Sequence, residues 1–205
     1  MSSEVKKSKS VVEPIRPPQK IEAYISANAF WGLLLSAIEV YKKETYGQLI
    51  GYRNENSMFI IEHAVPHQTA SRTHLSVRKN TRAEKRMESF LKNMPHLSLI
   101  GDFHSHTGWG ELKGVSQPSR TDVGDMKSNA IYIILEVNDK KRSQSWGYTA
   151  DGSLAGTVDD YHFKINAYYL SGPHQNRVKR ANLFCPYAIG FNAKLKPDEI
   201  AGYGR

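Results

Sequence analysis

The segment AIYIILEV, at 130–137, constrains the fold of this chain more than any other stretch. A half-buried strand alternates apolar and polar residues, whereas this run is apolar almost throughout, which is typical of a central strand covered on both faces. The chain has 205 residues, of which 40% are hydrophobic and 23% are charged. That composition suffices to bury one core of ordinary size. We therefore expect a layered α/β domain built around this strand.

Several other segments are predicted to pair with that central strand. GQLIGYR (47–53) and SMFIIEHAV (57–65) are apolar runs on either side of NEN, which predicts a hairpin. The mixed order of helical and extended patterns along the chain indicates a predominantly antiparallel or mixed sheet flanked by helices. Further strands are predicted at 21–26, 97–106, 143–149 and 160–170.

Two amphipathic helices and one short helix are predicted to flank the sheet. Ser26 can cap a helix that runs to about Lys43, and a second helix fits 81–94. A short helix is expected from Ser119 to about Ser128. The apolar faces consist of Phe30, Leu34, Ala37 and Tyr41 in the first helix and Met87, Phe90, Leu91 and Met94 in the second.

The excess positive charge lies in the two ends of the chain. The net charge is +8, yet residues 1–20 hold five Lys/Arg against two acids and residues 171–205 hold six against two. Residues 1–20 are predicted to form a disordered lead-in, 21–170 the folded domain, and 171–205 a C-terminal extension with few periodic signals. Basic ends give weak, salt-sensitive contact with many polyanions. No nucleic-acid partner is therefore expected.

Positive charge also concentrates around the second predicted helix. Seven Lys and Arg residues there face only Glu84 and Glu88. We interpret this cluster as a solvated helix face, with a docking surface as the alternative. Its members are Arg72, Arg78, Lys79, Arg82, Lys85, Arg86 and Lys92.

The sequence predicts a cytoplasmic protein with no membrane partner. No apolar run approaches the roughly 20 residues that a membrane-spanning helix needs, and the charged N-terminal residues lack the apolar core of a secretory signal. The single cysteine, Cys185, cannot form an internal disulfide, which suits a reducing compartment. Cys185 is expected to serve as a small apolar core residue. The sequence carries no signal for the oligomeric state.

The segment GDFHSHTGWGELKGVSQPSRTD (101–122) has the residues of a metal site. Residues i and i+2 of a strand point the same way, so His104 and His106 present both imidazoles on one face. Asp122 can add a carboxylate, and two imidazoles with one carboxylate form a common catalytic zinc shell. Ser119 and Asp122 also fit a capping box that starts the short helix. We expect Asp102 to point to the opposite face, and Asp125 is the competing third ligand.

Three motifs in a fixed order resemble the JAMM/MPN+ (JAB domain) zinc metalloproteases. They are ETYGQLIG (44–51), HSH (104–106) and PSRTD (118–122). The resemblance covers roughly residues 21–170 and is closest to the prokaryotic, deubiquitinase-like branches. It implies the MPN/JAB fold, a cytidine-deaminase-like mixed β-sheet flanked by helices in a single domain.

The same resemblance implies a Zn²⁺-dependent hydrolase and assigns its residues. His104, His106 and Asp122 would bind the metal. Glu44 would be the general acid/base that takes a proton from the attacking water and passes it to the leaving amine. Ser119 would donate a hydrogen bond to the oxyanion. The implied substrate is the C-terminal (iso)peptide bond of a ubiquitin-like or sulfur-carrier-type protein, whose extended tail would lie along the segment 63–77.

Two departures from the family pattern fall next to the second histidine. Thr107 stands where most members have proline, and the loop 107–118 separates His106 from Asp122 by more residues than usual. We expect a solvent-exposed loop. The alternatives are a lid that orders with substrate and an inhibitory role in which Glu111 occupies the open metal position.

Three other functions remain open on the sequence. A non-catalytic MPN-like scaffold shares the fold but usually lacks the ligands that are present here. A RadC-like DNA-associated protein shares HxH and PSxxD, although the near-neutral middle of the chain and the form of the first motif favour the hydrolase. A purely structural zinc normally has four protein ligands, and only three are evident.

Overall fold

The computed structural model describes residues 20–55, 58–72, 77–111, 113–139, 143–171 and 177–191, which form a single α/β domain. The predicted lead-in therefore lies outside the described residues except for Lys20. The strands are β1 (Glu22–Ile25), β2 (Tyr46–Arg53), β3 (Met58–Pro66), β4 (Ser71–Arg72), β5 (Val77–Arg78), β6 (Ser98–Gly108), β7 (Ile131–Asn138), β8 (Gly147–Tyr148), β9 (Leu154–Val158), β10 (Tyr161–Ser171), β11 (Arg177–Arg180) and β12 (Asn182–Phe184). The helices are α1 (Ala27–Glu39), α2 (Thr81–Leu91), α3 (Arg120–Asp125) and α4 (Pro186–Gly190).

The main sheet is mixed, as the sequence predicts. Its described strands run in the order β12-β1-β3-β2-β6-β7-β10-β9-β8, and β11 pairs with β10. β6 and β7 are parallel, while β2 is antiparallel to β6 and β10 is antiparallel to β7. β4 and β5 form a separate two-stranded ribbon. The arrangement places the carboxyl end of β6 beside the start of β2.

β7 is the central strand that its composition predicts. Ile131, Ile133 and Leu135 are fully buried in the main core, and Ile134 is fully buried in a second, smaller cluster on the opposite face. Both faces are therefore covered, which explains why the segment is apolar almost throughout. The hairpin of β2 and β3 is also confirmed, with a register shift at Ile50 and Gly51.

α1 covers the main core and ends earlier than expected. The Ser26 side chain caps it by accepting a hydrogen bond from the Ala29 N–H at 3.1 Å. The helix stops at Glu39 rather than Lys43, and Lys42 has a left-handed backbone with φ of 75°. The helix is already capped at Val40, and the left-handed backbone of Lys42 lies in the turn that leads to Glu44.

α2 is amphipathic, yet most of its apolar face is not covered by the described residues. Leu91 is its one buried residue, and Phe90 is 63% exposed. Met94 lies beyond the end of the helix. The periodicity predicts the helix correctly, although the helix ends at Leu91 rather than at residue 94 and Leu91 is the one buried member of the predicted apolar face.

The segment after 170, to which the sequence assigns no elements, completes one edge of the sheet. β12 pairs in parallel with β1, and Leu183, Cys185 and Ala188 are buried in the main core. Burial raises the pKa of the Cys185 thiol to about 11, consistent with an apolar core residue. The elements here have three to five residues, too few to show a periodic pattern.

Three smaller differences concern β8, β9 and α3. The strand predicted at 143–149 is reduced to Gly147–Tyr148, and β9 was not anticipated. α3 stops at Asp125 rather than Ser128, and Met126 is already extended. None of the helices in the described ranges is long and apolar enough to span a bilayer.

Candidate metal centre

β6 presents the two histidines on one face at its carboxyl end. His104 is buried and His106 is half-buried. Their rings are tilted by 58° with centroids 4.8 Å apart, and their Nε2 atoms are 3.1 Å apart. The alternation of the strand therefore brings both imidazole nitrogens to one point, as the HxH spacing predicts.

The capping box of α3 holds Asp122 against these nitrogens. The Ser119 backbone N–H donates to Asp122 Oδ2 at 2.6 Å, and the Asp122 N–H donates to Ser119 Oγ at 3.2 Å. The same Asp122 Oδ2 lies 3.4 Å from Nε2 of His104 and 3.5 Å from Nε2 of His106. The helix cap thus fixes the carboxylate of Asp122 over the strand.

The three side chains fit a tetrahedral metal ion. Tetrahedral zinc with ligand bonds of about 2.0–2.1 Å places its ligand atoms about 3.4 Å apart. The separations between Nε2 and Oδ2 atoms here are 3.1, 3.4 and 3.5 Å. His104, His106 and Asp122 therefore form a group that could hold a metal ion, with a fourth position left for another ligand.

A backbone carbonyl from the long loop orients His106. His106 Nδ1 lies 2.6 Å from the Val115 carbonyl oxygen, which can only accept, so Nδ1 carries the proton. In the neutral ring, the lone pair of Nε2 then points to the position where the ligand atoms of His104, His106 and Asp122 converge. A hydrogen bond of this kind on the far ring nitrogen is common for metal-binding histidines.

The loop 107–118 is attached to the sheet at several points. The Gly114 N–H donates to Asn138 Oδ1 of β7 at 3.2 Å, and the Ser116 carbonyl accepts from Asn166 Nδ2 and the Tyr168 hydroxyl of β10. Glu111 and Lys113 are exposed, and Leu112 lies outside the described residues. Glu111 does not line the pocket that contains the histidines. These bonds hold the Val115 carbonyl within hydrogen-bonding distance of His106 Nδ1. The HxH motif alone does not predict this contact.

Glu44, two residues before β2, lines the same pocket. The neighbouring Thr45 N–H donates to Ser105 Oγ at 3.0 Å, and the Ser105 N–H donates to the Thr45 carbonyl at 3.1 Å. Ser105 lies between the two histidines, so these bonds hold the start of β2 beside them. Glu44 is half-buried and lines the pocket with His104, His106, Ser119 and Asp122.

Burial and hydrogen bonding shift the pKa values of two carboxyl groups in the site. Burial raises the pKa of Glu44, and His106 and His104 partly oppose that rise. Burial also acts to raise the pKa of Asp122, but hydrogen bonds with the two histidines and Ser119 outweigh it and hold that pKa well below the ordinary value. Asp122 is therefore a carboxylate at neutral pH, which is the form that binds a metal.

The expectation that Asp102 points away from the histidines is wrong. Asp102 lies two residues before His104, so strand alternation places it on the same face, and it lines the pocket. Burial raises its pKa, while the ammonium of Lys79, at 3.1 Å, opposes the rise. Lys79 is therefore not part of a solvated helix face, whereas Arg82, Lys85, Arg86 and Lys92 are exposed.

Of the remaining pocket residues, the sequence singled out Asp125 alone as a possible ligand. The cavity has a volume of about 180 Å³. Asp125, the competing ligand, lies 3.7 Å from Lys79 and is outside the His–His–Asp group. His67 packs edge-on against Tyr46, and His74 lies outside the described residues. The further lining residues are Tyr46, Thr121, Met126 and Tyr132.

The fold and this site define an α/β domain with a candidate two-histidine, one-carboxylate metal centre at the end of a central strand. The family described as prokaryotic homologues of the JAB domain matches residues 29–148, and the chain belongs to that family. The JAB family includes zinc hydrolases, and it also has members without catalytic activity.

A comparison of structures supports the same fold. The solution structure of the protein DSY2949 from Desulfitobacterium hafniense superposes with a TM-score of 0.53 at 14% sequence identity. The match covers 80% of this chain and 92% of that one. At this identity the likeness concerns the fold alone. No curated protein is a significant match to the sequence.

Proposed function

We propose that this protein is a zinc-dependent hydrolase that cleaves (iso)peptide bonds at the C-terminus of a ubiquitin-like or sulfur-carrier-type protein. The observation that carries the proposal is the convergence of His104 Nε2, His106 Nε2 and Asp122 Oδ2 within one pocket that Glu44 also lines. Three protein ligands with an open fourth position are typical of catalytic rather than structural zinc. The complete set of ligands favours an enzyme over a scaffold.

Each residue of the set has a defined task in hydrolysis. Zinc, when bound by His104, His106 and Asp122, supplies Lewis acidity that polarises the scissile carbonyl and activates water. Glu44 accepts the proton of the attacking water and returns it to the leaving amine. The raised pKa of Glu44 suits this exchange, because a base must also be able to act as an acid.

Ser119 has two tasks in the proposed mechanism. Its Oγ accepts from the Asp122 N–H and so leaves its own hydroxyl proton free to donate. Ser119 is exposed at the pocket rim, where it donates that proton to the oxyanion of the substrate. The cap that positions Asp122 and the donor to the oxyanion are thus the same side chain.

The substrate tail is proposed to approach along the segment 63–77. Part of that segment forms the β4–β5 ribbon, whose second strand ends at Arg78, immediately before the pocket residue Lys79. An extended tail that pairs with this ribbon would lead toward the metal ligands. Residues 73–76 of the segment lie outside the described residues.

Cleavage of modifier fusions tests the proposal. Zinc-loaded protein is incubated with ubiquitin-like and sulfur-carrier proteins that carry a C-terminal extension after Gly-Gly, and products are identified by mass spectrometry. We expect a single cut after the terminal glycine. Glu44→Gln should keep its zinc and lose about 10²–10⁴-fold in rate. Glu88→Gln, an exposed glutamate of α2, is the matched control and should cleave normally.

Two outcomes would contradict the proposed activity. Equal cleavage by wild type and Glu44→Gln would show that Glu44 is not the base. Bound zinc without cleavage of any fusion would favour the non-catalytic scaffold.

A further inference from the structure

Lys79 lies at a junction of three elements next to the metal ligands. It directly precedes α2, where Asn80 caps the helix by accepting from the Ala83 N–H at 3.2 Å. Lys79 Nζ lies 3.1 Å from Oδ2 of Asp102, 3.7 Å from Oδ2 of Asp125 and 5.1 Å from the ring centroid of Tyr46. One ammonium group thus contacts β6, α3 and β2.

Each contact lies close in sequence to a residue of the proposed active site. Asp102 is two residues before His104 on β6, and Asp125 is three residues after Asp122 on α3. Tyr46 is two residues after Glu44, and it pairs directly with His104 across the β2–β6 ladder. Lys79 therefore connects the three parts of the chain that supply the ligands and the base.

The contact between Lys79 and Asp125 matters for α3 because no residue of this helix is packed into the hydrophobic core. The helix has six residues, and none of them is buried. On its C-terminal side the chain is anchored by buried Met126 and by the Tyr132 hydroxyl at Lys127. The helix itself, which carries Asp122, faces Lys79 through Asp125. A small rotation of α3 would move Asp122 Oδ2 away from the two Nε2 atoms.

Lys79 is itself held in place by contacts with β6 and by the packing of α2 against β2. The side chain of Asp102 is 17% exposed, and its contact with Lys79 is a charge-assisted hydrogen bond in a partly dry environment. The Tyr46 hydroxyl donates to Glu84 Oε1 at 2.7 Å, which fixes the start of α2 against β2. Lys79 is thus held at a set position from which it can attract Asp125, whose side chain is 62% exposed.

We propose that Lys79 is a positioning residue of the metal centre: by joining Asp102 of β6 to Asp125 of α3 it sets the placement of Asp122 relative to His104 and His106. The inference rests on the proposed function, in which those three side chains bind zinc. Lys79 lines the pocket but is outside the group of three ligands, and in this proposal it acts on Asp122 through α3.

Zinc affinity is the readout that distinguishes positioning from general stabilisation. The dissociation constant is measured by competition with a chromophoric chelator for wild type, Lys79→Met, Lys79→Arg and Lys85→Met. Thermal unfolding of each metal-free protein is recorded in parallel. Lys85→Met removes an exposed positive charge from the same helix and is the matched control.

We expect Lys79→Met to weaken zinc binding several-fold, because its ion pair with the exposed carboxylate of Asp125 is individually weak and reaches Asp122 only through α3. Lys79→Arg keeps the charge and should recover most of that loss. Lys85→Met should bind zinc as wild type does. The cobalt-substituted Lys79→Met protein should also show an altered visible spectrum, since the geometry of the ligands changes.

Three outcomes separate the inference from the proposed function. Wild-type protein that takes up no zinc would overturn both. If wild type and Lys79→Met bind zinc with the same affinity, the inference alone is overturned, whether or not the unfolding temperature changes. If Lys79→Met does not fold, Asp125→Asn tests the inference instead. The side chain of Asp125 is exposed, so this substitution should leave the fold intact. Unchanged zinc affinity in Asp125→Asn would then overturn the inference, and a several-fold loss would support it.

Discussion

Glu44, the proposed general base, is a residue whose burial lowers the stability of the folded protein at neutral pH. Its carboxylate is half-buried in a pocket that also contains Asp122, and burial raises its pKa. The folded protein therefore holds the Glu44 proton to higher pH than the unfolded chain does. Stability falls as pH rises through the interval between the ordinary carboxyl pKa and the raised one, and the loss persists at neutral pH.

Glu44→Gln should accordingly raise the unfolding temperature of the metal-free protein at pH 7. Glutamine has nearly the shape of glutamate and no charge to desolvate. The difference between the two proteins should shrink as pH falls below the ordinary carboxyl pKa, where Glu44 is protonated in both states. Differential scanning calorimetry against pH measures this, with Glu88→Gln as the exposed control. A lower unfolding temperature for Glu44→Gln at pH 7 would contradict the account.

At the residue scale, local spacing predicts part of the site. Strand alternation suffices to pair His104 with His106, and the capping box suffices to start a helix at Ser119. The same alternation places Asp102 on the face of the two histidines, so the expectation that it points to the opposite face was avoidable. The role of Lys79 was not predictable, because it depends on how α2 packs against a strand 23 positions further along the chain.

At the scale of elements, the segment after 170 shows the limit of local patterns. β12 has three residues and is stabilised by pairing with β1, which lies 160 positions earlier in register. No periodicity within the segment could reveal that contact. In contrast, β7 and the β2–β3 hairpin were predictable because their apolar runs and turn residues lie within one short window.

β12 offers a matched pair of neighbouring residues. Leu183 is 5% exposed and belongs to the main core, whereas Phe184 is 39% exposed. We expect Leu183→Ala to lower the free energy of unfolding by about 2–5 kcal/mol, because it opens a cavity. Phe184→Ala should have a much smaller effect. Urea titration measures both, and equal effects would show that β12 does not pack as described.

The close approach of β6 and β7 requires glycine at position 101. A Cβ there would lie 1.7 Å from the carbonyl oxygen of Ile131, a backbone atom that cannot move without disturbing the central strand. Gly101→Ala should therefore reduce the yield of folded protein and separate His104 from its neighbours. Gly147→Ala is the control, because its Cβ would meet nothing within 4 Å. Normal folding and normal zinc binding by Gly101→Ala would contradict this register.

At the scale of the whole molecule, the metal is expected to act as a link between β6 and α3. Saturation with zinc at about 100 times its dissociation constant stabilises a protein by about 2.7 kcal/mol. For a chain of this size that corresponds to a rise of roughly 5–10 °C in the unfolding temperature. Removal of zinc with a chelator should reverse the rise. His106→Ala should show no zinc-dependent change, and a similar rise in that variant would place the metal elsewhere.

The central claim is that His104, His106 and Asp122 hold one zinc ion, and the number of zinc ions bound per chain tests it most directly. Protein equilibrated with excess zinc is separated from free metal and measured by elemental analysis. Wild type and the exposed control Glu88→Ala should each retain one zinc per chain, whereas His106→Ala and Asp122→Ala should retain almost none. Absence of zinc from wild type, or equal retention by Asp122→Ala, would contradict the assignment of this site.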